Sequence, residues 1–177
     1  MVATNWPRRI MEKLLRTLAG AFPHIQFVSG EAFFWSPATT SVTYKQAGQE
    51  ESHHAWALLH ETAHALLNHQ NYEHDVDLLL LEVAAWQKAK ELGVSFGVEI
   101  DEEHVQDCLD TYRDWLHQRS TCPRCSTVSL QISAQAYRCH NCAADWQVSA
   151  SRFCRPYRLS KNTQKKSPAA VPQATFQ

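Results

Sequence analysis

The pentapeptide His60-Glu61-Thr62-Ala63-His64 places two imidazoles and a carboxylate within little more than one turn of a stretch that reads as helix. Residues four apart on a helix stack on one face. His60 and His64 can therefore present two ring nitrogens to one metal ion, with Glu61 beside them to take a proton from water. That spacing serves metal-assisted peptide hydrolysis, with zinc as the usual ion. The flanks are apolar and alanine-rich (Ala55, Ala57, Leu58 and Leu59 before, Ala65, Leu66 and Leu67 after), which puts the histidines on a largely buried helix. Two imidazoles and a carboxylate cost free energy there unless something satisfies them, and a metal does. The alternative for a chain with 10 His is that the pentapeptide is core sequence that arose by accident.

Hydrolytic zinc usually takes three protein ligands and leaves a fourth position open. Asp75 to Leu92 reads as the next helix, with Gly93 as its stop. Its apolar stripe runs Leu78, Leu81, Ala85, Ala89, Leu92, and Glu82 falls inside that stripe. A carboxylate there must be paired or bound to metal. If the first helix ends near His69, the two helices can pack antiparallel across a short loop. His64 then lies about 7 Å before the turn and Glu82 about 10 Å after it, at 1.5 Å per residue. A salt bridge to a buried Arg or Lys is the alternative role for Glu82. His69, His74, Asp75 and Asp77 are competing ligands, ranked lower because the two histidines fall at or in the loop. His53 and His54 read as surface or supporting residues. The longer pattern H-E-x-x-H-x-x-G-x-x-H is excluded, because Leu67 and Gln70 stand where it needs Gly and His.

Four of the six cysteines fall as Cys122-Pro-Arg-Cys125 and Cys139-His-Asn-Cys142, 13 residues apart. Two such knuckles around a hairpin hold a tetrahedral structural zinc, and the spacing resembles a zinc ribbon. A closed four-thiolate site stabilises rather than catalyses. Cys108 reads as core filler in the stripe Val105, Cys108, Leu109, Tyr112, Leu116, and Cys154 as a spare thiol.

The elements that must position these groups read as α+β. Pro7 to Leu18 reads as a helix ended by Gly20 to Pro23. Ile25 to Val28, Phe33 to Trp35 and Ser41 to Tyr44 read as short strands of a small antiparallel sheet. Ser52 is a candidate N-cap for a helix from His53 to His69, and Asp101 opens another to about His117. His104, Tyr112 and Arg113 are candidate hydrogen-bond donors to an oxyanion, with packing or surface roles as the alternative. Tyr137 and Trp146 are candidate packing aromatics of the ribbon.

With 177 residues the chain suits one principal domain and an appendage. The boundaries expected are a metallopeptidase domain over 1–118, a ribbon and basic extension over 119–159 with Arg152, Arg155, Tyr157 and Arg158, and a disordered tail over 160–177. Charge divides along the same line. Residues 1–118 hold eight Lys and Arg against 17 Asp and Glu, whereas 119–177 hold nine against Asp145 alone. Nucleic acid is therefore a candidate partner of the basic part, as are an acidic protein and the chain's own acidic half. No segment reaches the ~18 apolar residues of a membrane span. The N-terminus lacks the pattern of a signal peptide, so the expected location is the cytoplasm.

The helix pair resembles the IrrE/ImmA-like zinc metallopeptidases. The resemblance rests on Leu58-Leu59-His60-Glu61-Thr62-Ala63-His64-Ala65-Leu66-Leu67-Asn68-His69 and on Glu82-Val83-Ala84-Ala85-Trp86-Gln87-Lys88-Ala89. That family carries H-E-x-x-H-x-L-L-G-H and a later E-x-x-A-N-x-F-A. Asn68 replaces the usual Gly, and Trp86 and Lys88 stand where Asn and Phe are common. Ala84 stands where a second Glu often occurs. The match spans about residues 10 to 95. It implies a zincin-like fold with His60, His64 and Glu82 as ligands of a catalytic zinc, Glu61 as general base, and a protein substrate, regulatory in some members. The order of H-E-x-x-H domain, ribbon and basic tail is also similar to SprT-like proteases, which usually use a third histidine that the Glu82 helix lacks. Two non-enzymatic readings stand beside these: a nucleic-acid-binding ribbon protein, and an interaction scaffold on a zincin core without turnover.

Overall fold

The structure, a computed structural model, describes residues 8–46, 51–149 and 158–160. Among the described residues, four helices and two small sheets make an α+β chain. The chain divides into two compact units, one up to Gln118 and one from Arg119.

In the first unit α1 (Arg8–Ala21) buries Met11, Leu14 and Leu18, spaced three and four apart as a helix face requires. Then come β1 (Gln26–Ser29), β2 (Phe34–Ser36) and β3 (Ser41–Tyr44). Their order is β1-β3-β2, with β1 parallel and β2 antiparallel to β3. The sheet is thus mixed, where the sequence pointed to an antiparallel one. A meander would have put β2 in the middle. Instead the most buried strand, β3 with Ser41 and Val42 inside, takes the centre, so two strands running the same way become neighbours. Gly30 lets the chain leave β1 at this point: a Cβ there would lie 2.5 Å from Thr43 Cγ2.

The helices α2 (Glu51–Leu66), α3 (Asp75–Phe96) and α4 (Glu102–Ser120) follow. Helix α2 begins before Ser52, which is therefore not its N-cap, and it ends three residues before His69. Small residues at the α2 and α3 contact, Ala63, Ala85 and Ala89, are fully buried and let the two helices pack closely. Gly93 does not stop α3. The helix continues to Phe96 and ends at Gly97, whose φ of 71° is the left-handed cap conformation. Gly93 serves packing instead. Gly97 and Val98 both donate their N–H to its carbonyl, and a Cβ at Gly93 would lie 2.4 Å from Val98 O. No helix among the described residues is long and apolar enough to cross a membrane.

The second unit is a four-stranded antiparallel sheet, β4 (Leu130–Ser133), β5 (Ala136–Arg138), β6 (Asp145–Val148) and β7 (Arg158–Ser160), paired in chain order. Strand β7 lay in a stretch read as extension and tail. Tyr137 and Trp146 sit opposite each other and stack at 5.5 Å and 12°, both 1% exposed. The indole N–H of Trp146 donates to the Arg119 carbonyl at 2.9 Å. These rings are core, so they offer no platform on which nucleic-acid bases could stack. Pro7, Arg152, Cys154, Arg155, Tyr157 and residues 161–177 lie outside the described residues.

The two helical glycines give opposite expectations. At Gly20 nothing lies within 4 Å of an added Cβ, so Gly20→Ala should stabilise by up to about 1 kcal/mol through helix propensity. Gly93→Ala should destabilise by about 1–3 kcal/mol, because backbone must move to admit the methyl group. Urea unfolding followed by helical circular dichroism reads both signs.

Candidate metal centres

Helix α2 carries His60 and His64 on one face, and the 67–74 loop brings α3 back so that Glu82 comes level with them. His60 Nε2 lies 3.1 Å from His64 Nε2 and 3.1 Å from Glu82 Oε2, and His64 Nε2 lies 3.7 Å from Glu82 Oε2. His60 and Glu82 are buried, at 7% and 5% exposure. Three electron-pair donors thus converge, two of them buried and His64 half-buried. Burial raises the pKa of the Glu82 carboxyl. Hydrogen bonds and charge interactions with the two histidines outweigh that and hold it well below the usual carboxylate range.

The donor set fits a tetrahedral metal. Ligands about 2.0–2.1 Å from zinc stand about 3.3 Å from one another, and the three edges of this triangle bracket that value. Imidazole and carboxylate donors suit zinc and leave the fourth face open.

The end of α2 builds the surroundings of His64. Asn68 adopts φ 51°, and the N–H groups of Asn68 and His69 return to the carbonyls of Ala65 and His64. Asn is the residue after Gly that best tolerates this left-handed position, so Asn68 can cap the helix without a glycine. The cap folds His69 back over the last turn, where its Nδ1 lies 2.9 Å from His64 Nδ1. Burial, together with the charge of His64, lowers the His69 pKa. His69 is therefore a neighbour of a ligand and not a member of the triad.

His60 is held differently. Its ring lies against Trp86 at 4.2 Å and 31°, and its buried Nδ1 has no hydrogen-bond partner among the described residues. Trp86 in turn meets His104, which stacks on His53 at 4.9 Å. His104 is a packing residue and supplies no donor to the triad. Arg113 pairs with Asp110 on the surface. His74 and Asp77 bond to each other at the start of α3. Among the described residues, only His60, His64 and Glu82 form a metal-ligating group outside the cysteines.

Glu61 points elsewhere. Its Oε2 accepts the backbone N–H of Trp35 in β2 at 2.7 Å, while the indole of Trp35 donates to the His69 carbonyl at 2.9 Å. Strand β2 is an edge of its sheet. Nothing local to Trp35, 26 residues before Glu61, marked it as a site residue.

The second group is Cys122, Cys125, Cys139 and Cys142. Sulfur pairs stand 3.7 Å (Cys122 and Cys142) and 3.5 Å (Cys125 and Cys139) apart. These are not disulfides, which need about 2.05 Å. They suit a tetrahedron of thiolates about 2.3 Å from zinc, whose edges are about 3.8 Å. Backbone N–H groups of Arg124 and Cys142 point at Cys122 and Cys139 sulfurs. Hydrogen bonding with the Thr127 side chain and backbone pulls the Cys125 thiol down to about 5. For Cys142 a backbone hydrogen bond with Ala144 lowers the value, yet burial and the neighbouring thiols push it up to about 12. Four thiols so close cannot all ionise without a cation among them.

No family model, no curated protein and no solved structure matches this chain. The reading of both centres rests on their own geometry.

Metal analysis of the full chain should find two zinc ions. With Cys122 and Cys125 both changed to Ser, one should remain. Adding His60→Ala to that variant should remove it. A folded Cys122/Cys125 variant with no metal would leave the histidine pair as core sequence.

Proposed function

We propose that residues 8–118 form a zincin-like zinc endopeptidase that cleaves a protein substrate, and that the four-cysteine unit is a structural zinc ribbon. The observation that carries this reading is one convergence: His60, His64 and Glu82 set their donors at a tetrahedral face, and Glu61 follows His60 in the chain without joining that group. A carboxylate as third ligand favours likeness to IrrE/ImmA-like peptidases over the SprT-like alternative.

His60, His64 and Glu82 would hold the ion, and a bound zinc ion would supply the Lewis acidity that activates water and polarises a scissile carbonyl. Glu61 is the general base: it takes the water proton and delivers it to the leaving amine. Its side chain is positioned by the Trp35 N–H at 2.7 Å. That N–H faces away from β3, along the open side of β2. A substrate backbone added beside β2, in the manner of strand addition, lies next to the Glu61 carboxylate. Edge pairing reads backbone and not sequence, which suits an extended segment of a protein. The basic charge of the C-terminal unit supports a regulatory or DNA-bound substrate in the cytoplasm.

Glu61→Gln should keep two zinc ions and lower hydrolysis of an unfolded protein substrate about 10²–10⁴-fold, the usual contribution of a general base. Cleavage by this variant at the parent rate would remove Glu61 from the mechanism.

A further inference from the structure

The contact between His64 and His69 has a direction that follows from the metal centre. A neutral imidazole carries one proton. If His64 Nε2 offers its lone pair to a metal, the proton must sit on Nδ1. That Nδ1 lies 2.9 Å from His69 Nδ1, so one of the two nitrogens donates and the other accepts. His64 is the donor and His69 the acceptor, with the His69 proton on Nε2.

Resting on the metal-centre reading above, we propose that His69 is a positioning residue for the metal: it accepts the Nδ1–H of His64 and so fixes the tautomer and ring angle that aim His64 Nε2 at the ion. Two further restraints hold the acceptor in place. The left-handed Asn68 cap returns the His69 N–H to the His64 carbonyl at 3.0 Å. The Trp35 indole donates to the His69 carbonyl at 2.9 Å. His69 is thus fastened at its N–H, its carbonyl and its ring. The same tryptophan holds Glu61 through its backbone N–H, so one residue of β2 fastens both the proposed base and the support of a ligand. His60 has no such acceptor among the described residues, and its ring rests at a tilt on Trp86 instead. One histidine of the triad is thus oriented by a hydrogen bond and the other by an aromatic contact.

The test is a chelator competition that reads zinc affinity in the full chain, with the four-cysteine zinc as internal reference. His69→Ala should weaken zinc at the histidine site about 10–100-fold, as loss of such a hydrogen-bond partner usually does. His69→Asn, whose side-chain carbonyl can stand where Nδ1 stood, should recover most of that loss. Nitrogen-15 histidine spectra of the zinc-loaded parent should show His64 protonated at Nδ1, a reading that needs no variant to fold. The role of His69 is overturned if the alanine variant binds zinc as tightly as the parent. It is also overturned if folded His69→Asn binds as weakly as His69→Ala, or if His64 carries its proton on Nε2. A parent chain holding zinc only at the cysteines would overturn the metal-centre reading itself, and the His69 proposal with it.

Discussion

Three electron-pair donors, two buried and one half-buried, meeting within 3.1–3.7 Å are the constraint around which the first unit is organised. Such a cluster is costly in an apolar interior unless a cation shares it. Helices α2 and α3 must approach closely for the donors to meet, and Ala63, Ala85 and Ala89 supply small contact residues. The flat face of Trp86 closes one side of the His60 ring, and the cap at Asn68 carries His69 onto the other histidine. Each of these features is inexpensive alone. Together they restrict two imidazoles to orientations they would not otherwise share.

The sheet contributes through its edge. Strand β2 is only three residues long, yet Trp35 reaches both the Glu61 carboxylate and the His69 carbonyl. Backbone at an open edge has unpaired donors and acceptors, and here one of those donors is engaged by the Glu61 carboxylate.

The C-terminal unit meets a different constraint. Its buried cluster is Cys122, Tyr137, Cys139, Trp146 and Val148, too little apolar volume for a small sheet to rely on. Four sulfurs at tetrahedral spacing form a candidate metal site, and an ion held there would supply the cross-link that the core lacks. The stacked pair Tyr137 and Trp146 fills the remaining space, which removes those rings from any role in binding nucleic acid.

The sequence by itself determined the local geometry. A four-residue step along a helix brings His60 and His64 together, a carboxylate within an apolar stripe singles out Glu82, and paired C-x-x-C spacings assemble the thiols. Each signal follows from periodicity over a few residues. Helix ends were less legible: Gly93 looked like a stop but is a packing glycine, because the chain that returns at Val98 was not visible from α3 alone. The tertiary structure decided that β3 lies between β1 and β2, that Trp35 binds Glu61, that His104 stacks on His53 rather than facing the triad, and that His69 supports His64. Those contacts join residues from separate elements, or depend on how a loop closes. Their cause is the burial of whole faces against one another, which no short window of sequence contains.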